Sequence, residues 1–225
     1  SDRMKLLNFE AKDAHHHAQL GYELLSKFSP FSSFAPLVRF HHVKWENGKG
    51  RRAFGEKVPY ASHVIHLADR IAVLLDRRKP VFGQVKSISE RIIKHSGRFF
   101  VPAFVDAFLD ISKREAFWLD LKNSQMDRVI QKFSPLPKTS LTMENLTELA
   151  RFFSLIIDTR SRFTATHSSG VAFCAAKLGS LMDMSAQDCA KLKIAGYLHD
   201  LGKLAVPDTV LSKPDKLNDK EWQIM

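Results

Sequence analysis

The spacing of the apolar residues limits this chain to a largely helical fold. Apolar side chains recur every three or four positions over 59–76 and 142–157, which is the period of an α-helix that buries one face. Residues 170–182 repeat this pattern, with a predicted buried stripe of Val171, Cys174, Leu178 and Leu181. Few stretches alternate with the period of two that is typical of strands. The sequence therefore predicts an all-α protein.

Helix-starting and helix-breaking residues predict how the chain is divided. Ser185 and Asp188 have the spacing of a capping box at the start of a helix. The run Ser134-Pro135-Leu136-Pro137 ends a long predicted helical stretch over 84–133, because proline restricts the backbone of the residue before it. We therefore predict one segment over 1–133 and a second over 134–225.

The chain is basic, and its charge is unevenly distributed. Lysine and arginine outnumber aspartate and glutamate by 34 to 24, which gives a net charge of +10 at pH 7. The excess is concentrated at Arg51–Arg52 and Arg77–Arg78–Lys79. This pattern favours an anionic ligand near the first segment, although a solvated basic surface explains the same charges. No zinc-finger, RNP-type or aromatic–basic repeat is present, so we expect no DNA or RNA partner.

Apolar runs and cysteines indicate the cellular compartment. No apolar run approaches the ~18 residues of a membrane span, so we expect no membrane segment in this chain. Cys174 and Cys189 form no CxxC pair and both lie in predicted helices. We expect both to be reduced core residues, which is typical of a cytoplasmic protein.

The strongest local motif is Leu198-His199-Asp200-Leu201-Gly202-Lys203. A histidine and an aspartate at a helix end, followed by a glycine, can both turn toward one point beyond the last turn. An imidazole nitrogen and a carboxylate oxygen suit a divalent transition metal, and Lys203 would add a positive charge for a phosphate oxygen. The alternative for this motif alone is a capped helix end with a chance His-Asp pair.

The surrounding sequence resembles the first half of an HD-GYP domain, within the HD phosphohydrolase superfamily. The resemblance covers 158–221, with its motifs at the family's spacing. The matching pieces are Thr164-Ala165-Thr166-His167-Ser168, His199-Asp200-Leu201-Gly202-Lys203, Val206-Pro207-Asp208, Leu211-Ser212-Lys213-Pro214 and Leu217-Asn218-Asp219-Lys220-Glu221-Trp222. The resemblance implies that His167, His199 and Asp200 are metal ligands and that Lys203 contacts phosphate.

Residues 15–111 resemble the second half of the same domain. The implied metal ligands are the isolated histidine His17, the paired histidines His41 and His42, and the last metal-binding aspartate of the family, Asp69. The sequence also departs from the family. Val43 stands where the family has glutamate, and Arg51-Arg52 replace the Tyr-Pro of the GYP signature. The loop therefore lacks the signature for which the family is named.

Together the two resemblances imply an HD-domain-like helical bundle that holds two divalent metal ions, Fe or Mn. The implied activity is hydrolysis of cyclic di-GMP or a related cyclic dinucleotide in bacterial second-messenger signalling. Asp200 and Lys203 are the implied catalytic residues, and Lys203, Arg51 and Arg52 are expected to contact the substrate. The departures favour an alternative, a degenerate and non-catalytic module that binds a ligand or a partner.

The second-half motifs, with the degenerate GYP motif, lie in segment 1–133 and the first-half motifs in segment 134–225, which reverses the family order. In one explanation the chain spans two tandem domains, each cut, and the ligand sets belong to different sites. In the other, the segments fold onto each other or onto a second copy, as a permuted domain, a homodimer or a domain-swapped assembly. We expect cut ends, because the chain starts at Ser1 and the helix predicted from Asn218 has less than two turns before Met225.

Overall fold

The predicted helices are present in a computed structural model, which describes residues 11–123, 130–131, 140–160 and 166–225, without the side chains of 11–14 and 159–160. The α-helices are α1 Ala11–Ser26, α2 Ala35–Arg39, α3 Tyr60–Leu74, α4 Phe82–Lys94, α5 Pro102–Ser112, α6 Glu115–Lys122, α7 Met143–Arg160, α8 His167–Leu181, α9 Ala186–Leu198, α10 Asp208–Leu211 and α11 Asp219–Ile224. Short 3₁₀ helices cover Ser29–Phe34, Glu46–Arg51 and Leu201–Ala205. The strands β1 Arg52–Ala53 and β2 Glu56–Lys57 form a small antiparallel hairpin. The prediction of an all-α protein is confirmed.

The chain divides into two units. Unit 1 comprises Ser1–Ser26 and Phe31–Lys138, and unit 2 comprises Lys27–Pro30 and Thr139–Met225. The predicted helix breaker at 134–137 lies outside the described residues. The predicted boundary between residues 133 and 134 therefore stays a prediction. None of the described helices is both long and apolar enough to cross a membrane.

The core of unit 1 forms where α3, α4, α5 and α6 bury their apolar faces. Ile92, Phe100 and Trp118 are almost fully buried there. The indole Nε1 of Trp118 donates a hydrogen bond to the carbonyl oxygen of Ser112 at 2.8 Å, so the polar atom of this large side chain is satisfied inside the core. These contacts hold α5 and α6 against α3, the helix predicted over 59–76.

In its described part, the helical stretch predicted over 84–133 consists of three separate helices, α4, α5 and α6. Gly97 lies between α4 and α5 in the left-handed region, at φ +75°. Pro102 lies at the start of α5, where its missing N–H has no helical partner to lose. Together these two residues end one helix and begin the next.

Unit 2 is built around close packing of α8 against α7 and α9. A Cβ atom added at Gly196 of α9 would lie 2.5 Å from Cα of Ala172 on α8, so the two backbones nearly touch. At the other end of α8, a Cβ at Gly179 would lie 2.7 Å from Leu192. Helix α9 begins as predicted, with Oγ of Ser185 accepting a hydrogen bond from the backbone N–H of Asp188.

The predicted buried stripe of α8 is wrong, although the helix itself is confirmed. The buried residues of α8 are Ser168, Ala172 and Gly179, whereas Leu178 and Leu181 are 60 and 69 % exposed. The reason is geometric, because only small side chains permit the close approach of α8 to α9. Cys174 and Cys189 are free thiols, as expected, but the expectation that both lie in the core is wrong, because Cys174 is exposed and Cys189 is half-buried.

Candidate metal centres

The turn after α9 and the start of α8 bring together two histidines and an aspartate. One ligand atom each from His167, His199 and Asp200 lies within 4.8 Å of the other two. Oδ2 of Asp200 is 3.3 Å from Nε2 of His199 and 3.8 Å from Nε2 of His167. We call this group the His–Asp cluster. Two imidazoles and one carboxylate form a donor set that suits Fe²⁺ and other divalent transition metals, so the residues present fit a metal ion.

Short contacts orient the two ligands that follow α9. Nδ1 of His199 lies 2.8 Å from the carbonyl oxygen of Gly196. Because a carbonyl only accepts, this nitrogen carries the proton and leaves Nε2 free to bind a metal. On the other side, Nζ of Lys203 donates a hydrogen bond to Oδ2 of Asp200 at 2.7 Å. An ammonium group therefore lies next to the carboxylate that would hold the metal.

A buried aspartate on α7 helps to position His167, the third possible ligand of the His–Asp cluster. Asp158, near the end of α7, is 5 % exposed, and its Oδ1 accepts a hydrogen bond from Oγ of Ser168 at 2.8 Å. None of the described residues donates a hydrogen bond to its buried Oδ2. Since Ser168 follows His167 directly, this contact fixes the first turn of α8 and with it the His167 side chain. The sequence indicated Asp158 only as the first residue of the resembling stretch.

Unit 1 contains a second group of possible ligands, the tri-histidine cluster of His17, His41 and His42. One nitrogen from each lies within 4.8 Å of the other two, and Nε2 of His17 is 2.9 Å from Nε2 of His42. Helix α1 supplies His17, and the turn after α2 supplies the pair. Nδ1 of His41 faces the carbonyl oxygen of Val38 at 2.5 Å, the same three-residue contact that orients His199.

Burial and nearby positive charges lower the pKa of two histidines here, His42 and His66. Burial, followed by repulsion from His41 and His17, lowers the pKa of His42 to about 3. Burial, followed by repulsion from Arg70, lowers the pKa of His66 to about 4. The His66 ring on α3 lies 6.3 Å from that of His42. Neutral imidazole is the form that binds metal ions.

The other predicted site residues of unit 1 lie outside the tri-histidine cluster. Asp69 lies three residues after His66 on α3, but it is not part of the tri-histidine cluster. Its carboxylate Oδ2 instead accepts a hydrogen bond from Nε of Arg70 at 2.9 Å. Arg51 and Arg52 lie at the junction of the 3₁₀ helix Glu46–Arg51 and β1, and they line a cavity with Lys57.

Comparison with known proteins agrees with this geometry. Residues 151–225, which contain the His–Asp cluster, match a family model described as HD domain. A 3′3′-cGAMP-specific phosphodiesterase from Vibrio cholerae is 26 % identical over 96 % of this chain and 52 % of its own length. A cyclic di-GMP phosphodiesterase from Thermotoga maritima is 28 % identical over 46 % of this chain and 30 % of its own length. The predicted HD-GYP resemblance is confirmed.

The HD fold is confirmed by a solved structure. The crystal structure of a cyclic GMP-AMP-specific phosphodiesterase from V. cholerae aligns with 98 % of this chain and 53 % of its own chain, with a TM-score of 0.64 and 23 % identity. The chain spans about half the length of the first relative, at 52 %. Because that sequence alignment runs through 96 % of this chain, the two segments follow each other in the same order in the relative.

Except for Asp69, the metal ligands implied by the HD-GYP resemblance form one group in each unit. The structure brings His167, His199 and Asp200 together in unit 2, beside Lys203. In unit 1 it brings together the three histidines of the tri-histidine cluster. The ligand roles of these residues and of Asp69 stay predictions, as do the substrate contacts of Arg51 and Arg52.

Replacing Gly196 with alanine should weaken metal binding at the His–Asp cluster, although Gly196 is not itself a ligand. The new Cβ would meet backbone atoms of Ala172 at 2.5 and 2.8 Å, which cannot move without separating α8 from α9. We expect a loss of about 1–3 kcal/mol in the free energy of unfolding and a drop of about 10–100-fold in metal affinity, measured by urea unfolding and by metal titration.

A glycine on α8 provides the matched control for that substitution. A Cβ at Gly170 meets no atom within 4 Å, so Gly170→Ala should leave metal affinity unchanged and raise the free energy of unfolding by up to about 1 kcal/mol, the helix-propensity difference. Wild-type stability and affinity in Gly196→Ala would contradict the packing described for α8 and α9.

Proposed function

We propose that this chain is a metal-dependent phosphodiesterase that hydrolyses a cyclic dinucleotide at the His–Asp cluster. The observation that carries the proposal is the meeting of His167, His199 and Asp200 within 4.8 Å, from two different helix ends. The HD-domain match over 151–225 supports a metal-dependent hydrolase. The relatives that act on 3′3′-cGAMP and on cyclic di-GMP support a cyclic dinucleotide as the substrate class.

The chain's own residues divide the chemistry between them. Divalent ions, which we propose to be two Fe or Mn ions, activate water and neutralise the charge of the attacked phosphodiester when bound. His167 and His199 would hold them through nitrogen, and Asp200 through carboxylate oxygen. Lys203, 2.7 Å from Asp200, lies where its ammonium group can stabilise negative charge on phosphoryl oxygens in the transition state.

Substrate and metal are tested together with the purified chain. The metal is removed with a chelator, and Mn²⁺ or Fe²⁺ is then added back. We expect the chain to hydrolyse 3′3′-cGAMP or cyclic di-GMP, and chromatography of the products measures this hydrolysis. Metal analysis should give at least one tightly held ion per chain. Hydrolysis that continues at full rate in the metal-free chain would contradict the proposal, and the urea midpoint of each sample serves as the control for folding.

A non-catalytic module is the second candidate, and features of unit 1 favour it. The tri-histidine cluster offers nitrogen donors without a carboxylate, Val43 replaces the expected glutamate, and Arg51-Arg52 replace Tyr-Pro. A chain that holds no metal and hydrolyses neither dinucleotide would support this candidate. Assembly into a homodimer or a domain-swapped form stays a prediction, which the mass of the chain in solution tests.

A further inference from the structure

A cationic cavity lies beside the β1–β2 hairpin of unit 1. It has a volume of about 470 Å³ and is lined by Arg51, Arg52, Lys57, Val58 and Tyr60. Cavities that bind small molecules usually measure about 300–1,000 Å³. The three basic residues are exposed, so their charges surround one space that a dissolved ligand can enter. We call it the hairpin cavity.

The hairpin holds two of these charges directly opposite each other. Phe54 and Gly55, at φ 51° and 80°, form a two-residue turn of the kind that matches the twist of paired strands. The ladder then places Arg52 opposite Lys57. Like charges at directly opposite positions destabilise a hairpin. An anion bound between them would remove this repulsion.

The acidic side chain of the hairpin does not neutralise the cavity. Glu56 precedes Lys57 in the same strand, so their side chains point to opposite faces. On its own face Glu56 accepts hydrogen bonds from Nη1 of Arg39, at 2.8 and 2.9 Å to its two carboxylate oxygens. Among the described residues, no ion pair joins a carboxylate to Arg51, Arg52 or Lys57.

Both arginines are held in place before any ligand arrives. The guanidinium of Arg51 lies over the ring of Trp45, with Cζ 5.2 Å from the ring centroid. Nη2 of Arg52 donates a hydrogen bond to the carbonyl oxygen of Gly55 at 3.0 Å. Such contacts reduce the conformational entropy that binding would otherwise cost. Tyr60, which is 53 % exposed, adds a ring on which a base can stack.

We propose that the hairpin cavity binds a small nucleotide, with phosphate between Arg51, Arg52 and Lys57 and the base against Tyr60. Guanidinium groups suit this role because their forked N–H donors match phosphate oxygens. This site lies in unit 1, needs no metal and performs no chemistry. It is therefore independent of the hydrolysis proposed for the His–Asp cluster.

The test begins from a chain in which the His–Asp cluster cannot act. His199→Ala and Asp200→Ala, in the presence of a chelator, remove metal and turnover, and Trp222→Phe removes an exposed indole of unit 2. Titration with 3′3′-cGAMP should give one binding event by calorimetry and a change in tryptophan fluorescence, because Trp45 lies under Arg51 whereas the other remaining tryptophan, Trp118, is buried in the core. If circular dichroism shows that this chain is unfolded, the wild-type chain with chelator takes its place. Absence of binding would overturn the proposal without bearing on hydrolysis.

Two double variants in this background separate a specific site from general attraction. Arg51→Ala with Arg52→Ala should weaken binding at least about tenfold, because two charged hydrogen-bond donors are lost. Arg77→Ala with Lys79→Ala removes the same charge from exposed positions elsewhere in unit 1, and should change the affinity less than about twofold. An equal loss in both double variants would overturn the proposal.

Replacing Tyr60 tests whether the ligand of the hairpin cavity is a nucleotide, whose base would stack on this ring. Tyr60→Ala should weaken the binding of 3′3′-cGAMP at least about fivefold, since stacking on an aromatic side chain contributes to each bound base. Pyrophosphate, which has no base, should bind the wild-type and Tyr60→Ala chains equally. A wild-type chain that binds pyrophosphate as tightly as the dinucleotide, or single-stranded RNA more tightly, would overturn the assignment to a small nucleotide.

Discussion

Replacing His199 or Asp200 with alanine should abolish metal binding at the His–Asp cluster and lower the hydrolysis of cyclic dinucleotides by more than about 10³-fold. The physical reason is that each residue supplies one of the three donors. Changes in the groups around a metal ligand already cost about 10–100-fold in metal affinity or activity. Loss of the ligand itself also removes the water activation and charge neutralisation that the ions provide. Metal content and initial rate, measured on the same samples, check this prediction.

Asp215→Ala is the matched control for these variants. Asp215 is an exposed carboxylate of unit 2 and is not part of the three-ligand group. Its replacement should leave metal content and rate unchanged. Full activity in either His199→Ala or Asp200→Ala would rule out the His–Asp cluster as the site of hydrolysis, whatever the control shows.

The sequence correctly predicted the features that depend only on residues close together in the chain. Ser185 caps α9 because its hydroxyl reaches a backbone N–H only three residues away. The pair His199 and Asp200 shares one turn after that helix, so their proximity follows from the chain itself. By contrast, His167 reaches the same point from 32 residues upstream, and only the resemblance to HD-GYP domains predicted it as a partner.

Packing between helices explains where the sequence prediction was wrong. Apolar spacing predicted the helix α8 correctly, but hydrophobicity alone favoured the face that contains Leu178 and Leu181. The face that packs contains Ala172, whose backbone nearly touches Gly196. Small residues contribute little to a hydrophobic pattern, yet they decide how closely two helix backbones approach. Which face of α8 packs depends on the residues of α9, and the periodicity of α8 alone gives no information about them.

Short and polar features were also missed for physical reasons. Each strand of the hairpin has two residues, too few to produce a period of two. Its turn depends on Phe54 in the left-handed region, at φ 51°, where glycine or asparagine is the usual signal. Asp158 was missed as a support for His167 because its partner Ser168 is ten residues away in the sequence, too far for a local capping pattern.

Replacing Lys203 with alanine should separate metal binding from chemistry. Nζ of Lys203 lies 2.7 Å from Oδ2 of Asp200, so in the absence of a metal the ammonium neutralises the carboxylate that the metal needs. Removing it should therefore leave metal affinity at the wild-type level or raise it. The rate should nevertheless fall by about 10²–10³-fold, the usual cost of losing one group that stabilises transition-state charge.

The opposite responses of metal affinity and rate make this variant decisive for the role of Lys203. A lysine that served only to hold Asp200 in place would, when removed, weaken metal binding and rate together. A lysine that acts on the phosphoryl oxygens would lower kcat while the metal remains bound. Lys216→Ala, at an exposed position of unit 2, controls for the lost charge and should change neither quantity. Because Lys203 is only three residues from Asp200, the same short turn would then supply both a metal ligand and the charge that the attacked phosphate requires.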